Sequence, residues 1–428
     1  MSARTSALRV LNACRQNGAW ADAALAAELG RETLSAPDAA LTSRIVYGVL
    51  QTRMLLDYYL SAYCTQRLDH LQQPLPDILR IGAYQILYLD KVPDHAAVSE
   101  SVELAKANKR GSAAGLVNAV LRKLSQNKNH LPALPADPTE RLSVETSHPR
   151  ALTERMIAML GAEEAGAFLR ANNALAPVTV QVNPLKTTAD QLLTELANAG
   201  IDAKPHPWVP DCIELTGVGD LSTLPAFYRG EFLVQDAAAR LASLGVEPGM
   251  RVLDVCAAPG GKSFSAAFAM RGKGSIVACD LHENKLKRIR DGAARLGIDC
   301  IETQAADGRV FRADWAESFD AVLCDVPCSG LGIIRKKPDI RYKDMSAFAA
   351  LPDIQRAILK NASHYVKAGG LLVYSTCTVL PEENDGVTEA FLRSHSEFTP
   401  VPDGHGAAFW PQRDQTDGFY LFRMRKNA

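Results

Sequence analysis

Residues 250–262 read MRVLDVCAAPGGK, an apolar run that ends in a turn with two adjacent glycines. Met250–Val255 has the length and branched apolar content of a buried strand, and a helix is predicted over 262–270. Adjacent glycines let the backbone approach a ligand closely, and the first turn of a helix offers N–H groups with no intrahelical partner. The same rhythm continues outward: strand 275–280, helix 283–295, strand 299–304, strand 319–324, helix 350–366 and strand 370–375. Alternating strands and helices predict an α/β, doubly wound parallel sheet over residues 235–428, with Phe419–Met424 as a late strand.

In such a sheet, residues just past the carboxyl ends of strands converge on one crevice. Two cysteine motifs occupy such places, VPCSG at 326–330 and STCT at 375–378, so Cys328 and Cys377 are expected to face one another. Asp280 follows Gly260 by 20 residues, at the end of the second strand, where a carboxylate commonly accepts from ribose hydroxyls. Asp307 and Asp325 follow the third and fourth strands. Three such carboxylates suit a ligand with a ribose, an amino-bearing base and a cationic tail. That describes S-adenosylmethionine better than NAD, and the GxGxxG fingerprint is absent. A phosphate loop was the alternative for CAAPGGKS at 256–263, but Cys256 stands where its first glycine is needed for the tight turn.

Paired thiols beside a methyl donor point to pyrimidine chemistry. Carbon 5 of the neutral ring is too electron-poor to attack a methyl sulfonium. Adding a thiolate at carbon 6 makes an enamine whose carbon 5 is nucleophilic, and a base must then remove the carbon-5 proton for release. Asp325, if protonated, would stabilise ring nitrogen 3 during attack. Chemistry alone leaves open which of Cys328 and Cys377 attacks. Cys256, Cys279, Cys300 and Cys324 read as buried strand residues, and the four tryptophans as packing.

Composition sets the class. Of 428 residues, 47% are hydrophobic and 22% charged, as in ordinary globular proteins of two or three domains. Nine irregularly spaced cysteines without CxxC pairs indicate neither a disulfide framework nor a zinc site, and no metal is expected. With no apolar run of membrane-spanning length and no signal-like start, a cytoplasmic chain without membrane partners is expected. The formal net charge of −1 hides two local basic runs. One holds Lys106, Lys109, Arg110, Arg122, Lys123 and Lys128 with no acidic residue between Lys106 and Ala136. The other, Arg335, Lys336, Lys337, Arg341 and Lys343, directly follows VPCSG. Both are candidate RNA-phosphate contacts, although a solvated helix face is the blander reading of each.

Residues 1–125 show apolar spacings of three and four throughout and predict an all-α bundle, with a proline-rich linker at 126–140. Residues 141–234 predict a small α+β module: helices 151–160, 162–172 and 189–199, and strands near 178–182, 212–215 and 231–234.

At AAPGGK, Asp280, Asp307, DVPCSG and STCT the chain resembles the NOL1/NOP2/Sun family of RNA cytosine-C5 methyltransferases. The resemblance implies a Rossmann-like class I methyltransferase domain. It further implies that Cys256, Ala257, Ala258, Pro259, Gly260, Gly261, Lys262, Asp280, Asp307 and Asp325 hold S-adenosylmethionine, with Cys377 the nucleophile and Cys328 assisting release. VNAVLRKL at 117–124 and the helical pattern before it are similar to the NusB-like RNA-binding domain of the bacterial Sun/Fmu branch, whose members methylate cytosine 967 of 16S rRNA. The middle module would then be RNA-recognition-like, and the enzyme a monomer acting on small-subunit rRNA. The rival reading is a non-catalytic ribosome-assembly factor on the same fold. An intact set of Cys328, Cys377, Asp325 and the glycine turn weighs against it.

Overall fold

Among the described residues, nine α-helices carry the first part of the chain: α1 (Ala3–Asn17), α2 (Ala21–Arg31), α3 (Ala36–Tyr63), α4 (Leu75–Tyr88), α5 (Asp94–Ala107), α6 (Ala114–Gln126), α7 (Pro138–Thr146), α8 (Arg150–Leu160) and α9 (Ala162–Ala171). The structure, a computed structural model, describes residues 2–32, 34–402 and 406–428. Side-chain caps start several helices, with Ser2, Ser35 and Asp137 each accepting from an N–H in the first turn. Their shared core includes Leu8, Val46, Leu56, Ile78, Leu104 and Leu121. Gly82 in α4 packs where a Cβ would press on Leu121 and the Ser101 hydroxyl, so only glycine permits this approach.

The chain divides into two compact units, and one division runs counter to the linear order. The helical unit comprises Met1–Ala174 together with Ile334–Lys343; the second unit comprises Leu175–Ile333 and Asp344–Ala428. Sequence reading ends the helical domain at 140, whereas α7, α8 and α9 group with the bundle, α7 packing on α3. The strap 334–343 joins the same unit although it begins 160 residues after Ala174.

The second unit starts with β1 (Val178–Val182), α10 (Ala189–Asn198), β2 (Asp202–Pro205), β3 (Cys212–Thr216) and β4 (Phe232–Val234). These strands form an antiparallel sheet in the order β2-β3-β1-β4. Strand β2, exposed apart from Ala203, carries no buried hydrophobic alternation and was not legible. There follow β5 (Arg251–Asp254), α11 (Gly261–Ala269), β6 (Ser275–Asp280), α12 (Glu283–Leu296), β7 (Ile301–Ala305) and β8 (Phe319–Asp325). The chain ends with α13 (Leu351–Ser363), β9 (Val366–Thr376), α14 (Asp385–Ser394), β10 (Phe398–Pro400), β11 (Ala407–Phe409) and β12 (Phe419–Lys426).

The large sheet runs β10-β12-β9-β8-β5-β6-β7, with β11 beside β12. From β9 to β7 the pairing is parallel, as expected; β10, β11 and β12 pair antiparallel, which makes the sheet mixed. Successive strand residues point to opposite faces. Thus Val252, Ala321, Leu323 and Val373 pack with Phe264 of α11 and Leu286 of α12, while Leu253, Val322, Cys324 and Leu372 pack with Leu359 of α13 and Phe391 of α14. Both faces are covered, which explains the near-continuous apolar runs of β5, β8 and β9.

Candidate active site

The carboxyl ends of β5, β6, β7, β8 and β9 open on one cleft of about 490 Å³. Its walls include Cys256, Ala258, Asp280, Asp307, Asp325, Cys328 and Cys377, all anticipated from sequence, together with Leu281, Ile354 and Ile358. Ala257, Pro259, Gly260, Gly261 and Lys262 do not line it directly. They shape it from behind. Gly260 has φ +115°, and its N–H donates to the Ala257 carbonyl at 2.7 Å, closing the turn that begins α11. The Phe264 ring packs against Gly260 where a Cβ would stand, so any side chain there would displace the turn.

Asp280 Oδ1 accepts from the His282 N–H at 3.1 Å and pairs with Lys285 at 3.3 Å. Asp307 is bound by the Arg309 guanidinium at 2.7 Å, which holds its carboxyl below the ordinary range. Cys256 lies just past β5; burial, reinforced by Asp254 and Asp325, pushes its thiol up, so it is an uncharged wall. Cys279 and Cys324 are buried core residues, as read from sequence; Cys300 is half-buried.

Cys328 and Cys377 meet as the strand geometry predicts, with Sγ atoms 3.3 Å apart. Their settings differ. A hydrogen bond from the Cys328 thiol lowers the Cys377 pKa, against the cost of burial and the repulsion of Asp325 and Asp417, with Lys262 helping. The same hydrogen bond, with burial and the negative charges of Glu383 and Asp325, raises Cys328. Cys377 is therefore the more acidic of the two thiols and Cys328 the one that keeps its proton longer.

Asp325 accepts from Lys262 Nζ at 2.6 Å and from Ser375 Oγ at 2.9 Å. Burial opposes the charge on Lys262, but Asp325 outweighs it and raises the ammonium's pKa. A carboxylate engaged by an ammonium and a hydroxyl is an acceptor, so the protonated Asp325 considered from sequence gives way to a Lys262–Asp325 ion pair.

The basic runs fare differently. In the helical unit Lys109, Arg122 and Lys123 are exposed; Lys106 is exposed but pairs with Glu103 at 2.7 Å, and Arg110 donates to the Gln73 carbonyl at 2.9 Å. In the strap, Lys336 is exposed, Lys337 pairs with Asp22 at 2.9 Å, and Arg335 is buried. Arg341 is 1% exposed and donates to the carbonyls of Gln51, Thr146 and Asn172 and to the Asn173 side chain. The expected run of five phosphate ligands is thus reduced: Arg335 and Arg341 are interior groups. Basic residues beside a motif carry no sign of which way they face.

Sequence reading also missed Glu383, Asn384 and Gln355, buried polar residues around the thiols. The signal available was PEEN at 381–384, polar residues directly after a buried motif.

A doubly wound sheet with this cleft and a thiol pair at its carboxyl edge defines a methyltransferase. The model for "16S rRNA methyltransferase RsmB/F" matches residues 241–425, the NusB family model residues 1–126, and the ferredoxin-like domain of RsmF/B-type methyltransferases residues 148–222. The "Probable ribosomal RNA small subunit methyltransferase B" of Bacillus subtilis is 36% identical, covering 100% of this chain and 99% of its own length. The ribosomal RNA small subunit methyltransferase B of Sodalis glossinidius is 36% identical over 92% of this chain and 91% of its own. Among solved structures, that of the protein PH0851 is similar with a TM-score of 0.83 at 26% identity, covering 99% of each chain. The chain belongs to the RsmB/F branch of the NOL1/NOP2/Sun methyltransferases.

Proposed function

We propose that this enzyme methylates carbon 5 of one cytosine in 16S rRNA, at position 967, through a covalent adduct with Cys377. The observation that carries the reading is the thiol pair, Sγ to Sγ 3.3 Å, at the mouth of the cleft that holds Asp280 and Asp307.

S-adenosylmethionine fits this cleft, and when bound it supplies a methyl group on a sulfonium. Asp280 would accept from its ribose hydroxyls, and Leu281, Ile354 and Ile358 would cover its base. Asp307 would face its polar groups. The target base enters flipped out of its stack. Asp325, held from behind by Lys262, would accept from the exocyclic amine of cytosine. Cys377 adds to carbon 6, which makes carbon 5 nucleophilic.

Bond formation at Cys377 also changes Cys328. The thiol–thiolate hydrogen bond is the first cause of its raised pKa. Once Cys377 is bonded to carbon, that cause is gone, although burial, Glu383 and Asp325 still raise Cys328; the Cys328 thiol would release its proton to solvent through the open cleft and, as thiolate, take the carbon-5 proton. The C5–C6 double bond then reforms and Cys377 leaves as thiolate. The helical unit, with exposed Lys109, Arg122 and Lys123, would hold RNA through phosphates. The enzyme would act as a monomer in the cytoplasm, where rRNA is assembled.

The test is transfer of labelled methyl from S-adenosylmethionine to unmodified small-subunit rRNA, with digestion to nucleosides and mapping of the labelled fragment. Label in 5-methylcytosine at position 967 is expected. Cofactor binding without label in RNA would instead favour the assembly-factor reading.

A further inference from the structure

The residues on either side of each catalytic cysteine hang from one short turn. Between β9 and α14 that turn carries Glu383 and Asn384, 1% and 3% exposed. Glu383 Oε2 accepts from the Ser329 N–H at 2.9 Å and from Gln355 Nε2 at 2.8 Å, and the same Gln355 amide donates to the Pro327 carbonyl at 3.0 Å. Cys328 is therefore clamped through Pro327 and Ser329. Asn384 Oδ1 accepts from the Thr376 hydroxyl at 2.6 Å, and its Nδ2 donates to the Thr378 carbonyl at 3.1 Å. Cys377 is clamped through Thr376 and Thr378 in the same manner. Two cross-ties join the turns directly: the Ser329 and Thr378 hydroxyls at 2.6 Å, and the Gly332 N–H on the Cys377 carbonyl at 3.0 Å.

We propose that Glu383 and Asn384 are positioning residues which brace the two cysteine turns against each other and decide which thiol is the nucleophile. The proposal rests on the covalent reading above. Neither side chain lines the cleft, so both act through the cysteines' neighbours. Buried hydrogen bonds to the flanking residues hold a reacting atom far more tightly than a surface loop would, and a displacement of about 1 Å costs on the order of 100-fold in rate.

The brace is also electrically lopsided. The groups facing the thiols are Asp325, Lys262, Glu383 and Asp417; Glu383 bears on Cys328, and Lys262 and Asp417 on Cys377. A carboxylate holds the Cys328 turn and a neutral amide holds the Cys377 turn. Negative charge beside Cys328 favours the proton there and makes Cys377 the thiol that ionises first.

Mapped alkylation tests this on the whole protein without RNA. Limiting iodoacetamide is applied across a pH series, and the labelled peptides of Cys377 and Cys328 are quantified, with S-adenosylhomocysteine affinity as the check on folding. Wild type is expected to label first at Cys377. Glu383→Gln keeps the acceptor toward Ser329, because Oε1 has no partner and can become the amide nitrogen. It should shift the labelling ratio toward Cys328 by about tenfold, one pKa unit's worth, and move Cys377 labelling to higher pH. Asn384→Ala should lower kcat about 100-fold with KM for RNA and S-adenosylhomocysteine affinity unchanged. Should Glu383→Gln not fold, Gln355→Met removes the donor to Glu383 and to the Pro327 carbonyl and is expected to lower kcat as Asn384→Ala does. An unchanged labelling ratio together with unchanged kcat would overturn the proposal, and so would losses of kcat matched by equal losses of cofactor affinity. Because labelling needs no substrate, absence of 5-methylcytosine would count against the covalent reading while leaving the brace measurable.

Discussion

The Cys328 turn and the strap that follows it differ in what their polar groups have left to offer. At the cleft, the Cys377 thiol has one hydrogen-bond partner among the described residues, the Cys328 thiol, and both thiols line open space. In the strap, Arg341 donates through Nη1 and Nη2 to five acceptors within the helical unit, and burial lowers its pKa to about 10. Tyr342 donates to the Leu50 carbonyl at 2.8 Å, and Lys343 to the Gly18 carbonyl at 2.9 Å. A chemically capable side chain serves function when its bonding capacity is unspent, and structure when it is consumed. Proximity to a motif in sequence does not distinguish the two.

Substitutions can break this contrast. Cys377→Ala should abolish methyl transfer, a loss of at least about 10⁴-fold in kcat, measured with labelled cofactor and unmodified rRNA. Normal turnover would move the nucleophile elsewhere. Cys328→Ala should lower turnover about 10³-fold while leaving attack possible, so a denaturant-stable protein–RNA band should accumulate on gels. Arg341→Met should instead act on folding alone. It strips donors from the carbonyls of Gln51, Thr146 and Asn172, costs about 3 kcal/mol in denaturant melts, and leaves S-adenosylhomocysteine affinity as in wild type. Weakened cofactor binding by that variant would erase the distinction drawn here.

Two smaller effects sharpen the contrast. Asp254, fully buried at the end of β5 with Ser263 donating to it at 2.7 Å, has its pKa raised to about 7 by burial. The folded state then binds more protons than the unfolded state above the unfolded carboxyl's ordinary value. Stability therefore falls as pH rises through that window, by roughly 2 kcal/mol between about pH 5.5 and 7. Asp254→Asn should flatten this dependence in thermal melts at matched ionic strength. Finally, Arg122→Glu and Lys123→Glu should weaken RNA binding only a few-fold and reduce the salt slope by about one per lost phosphate contact, with kcat at saturating RNA unaffected.

Much of the architecture was legible because apolar periodicity and turn chemistry are local. Strands β5, β6, β8 and β9 carry short runs of branched and other apolar residues, and the Gly260–Gly261 turn marks the start of α11. The elements that escaped have weak local signals. Strands β10 and β11 are three residues each, and β12 joins antiparallel although its alternation says nothing of direction. Helices α8 and α9 were visible whereas α7, which starts inside the expected linker, was not, and the grouping of all three with the bundle depends on which faces they bury.

The site divides along the same line. Cys328, Cys377, Asp280, Asp307 and Asp325 could be read from their places after strands, since parallel strands bring their carboxyl ends together by geometry. Sequence by itself therefore determined the sheet, the cleft and the candidate nucleophiles. Tertiary structure alone decided that Lys262 turns to Asp325, that Arg341 is interior, and that Glu383 and Asn384 hold the thiols 3.3 Å apart. The physical reason is range: periodicity and turns act over a few residues, whereas burial, ion pairing and hydrogen-bond partnership depend on groups that only the folded chain brings within reach.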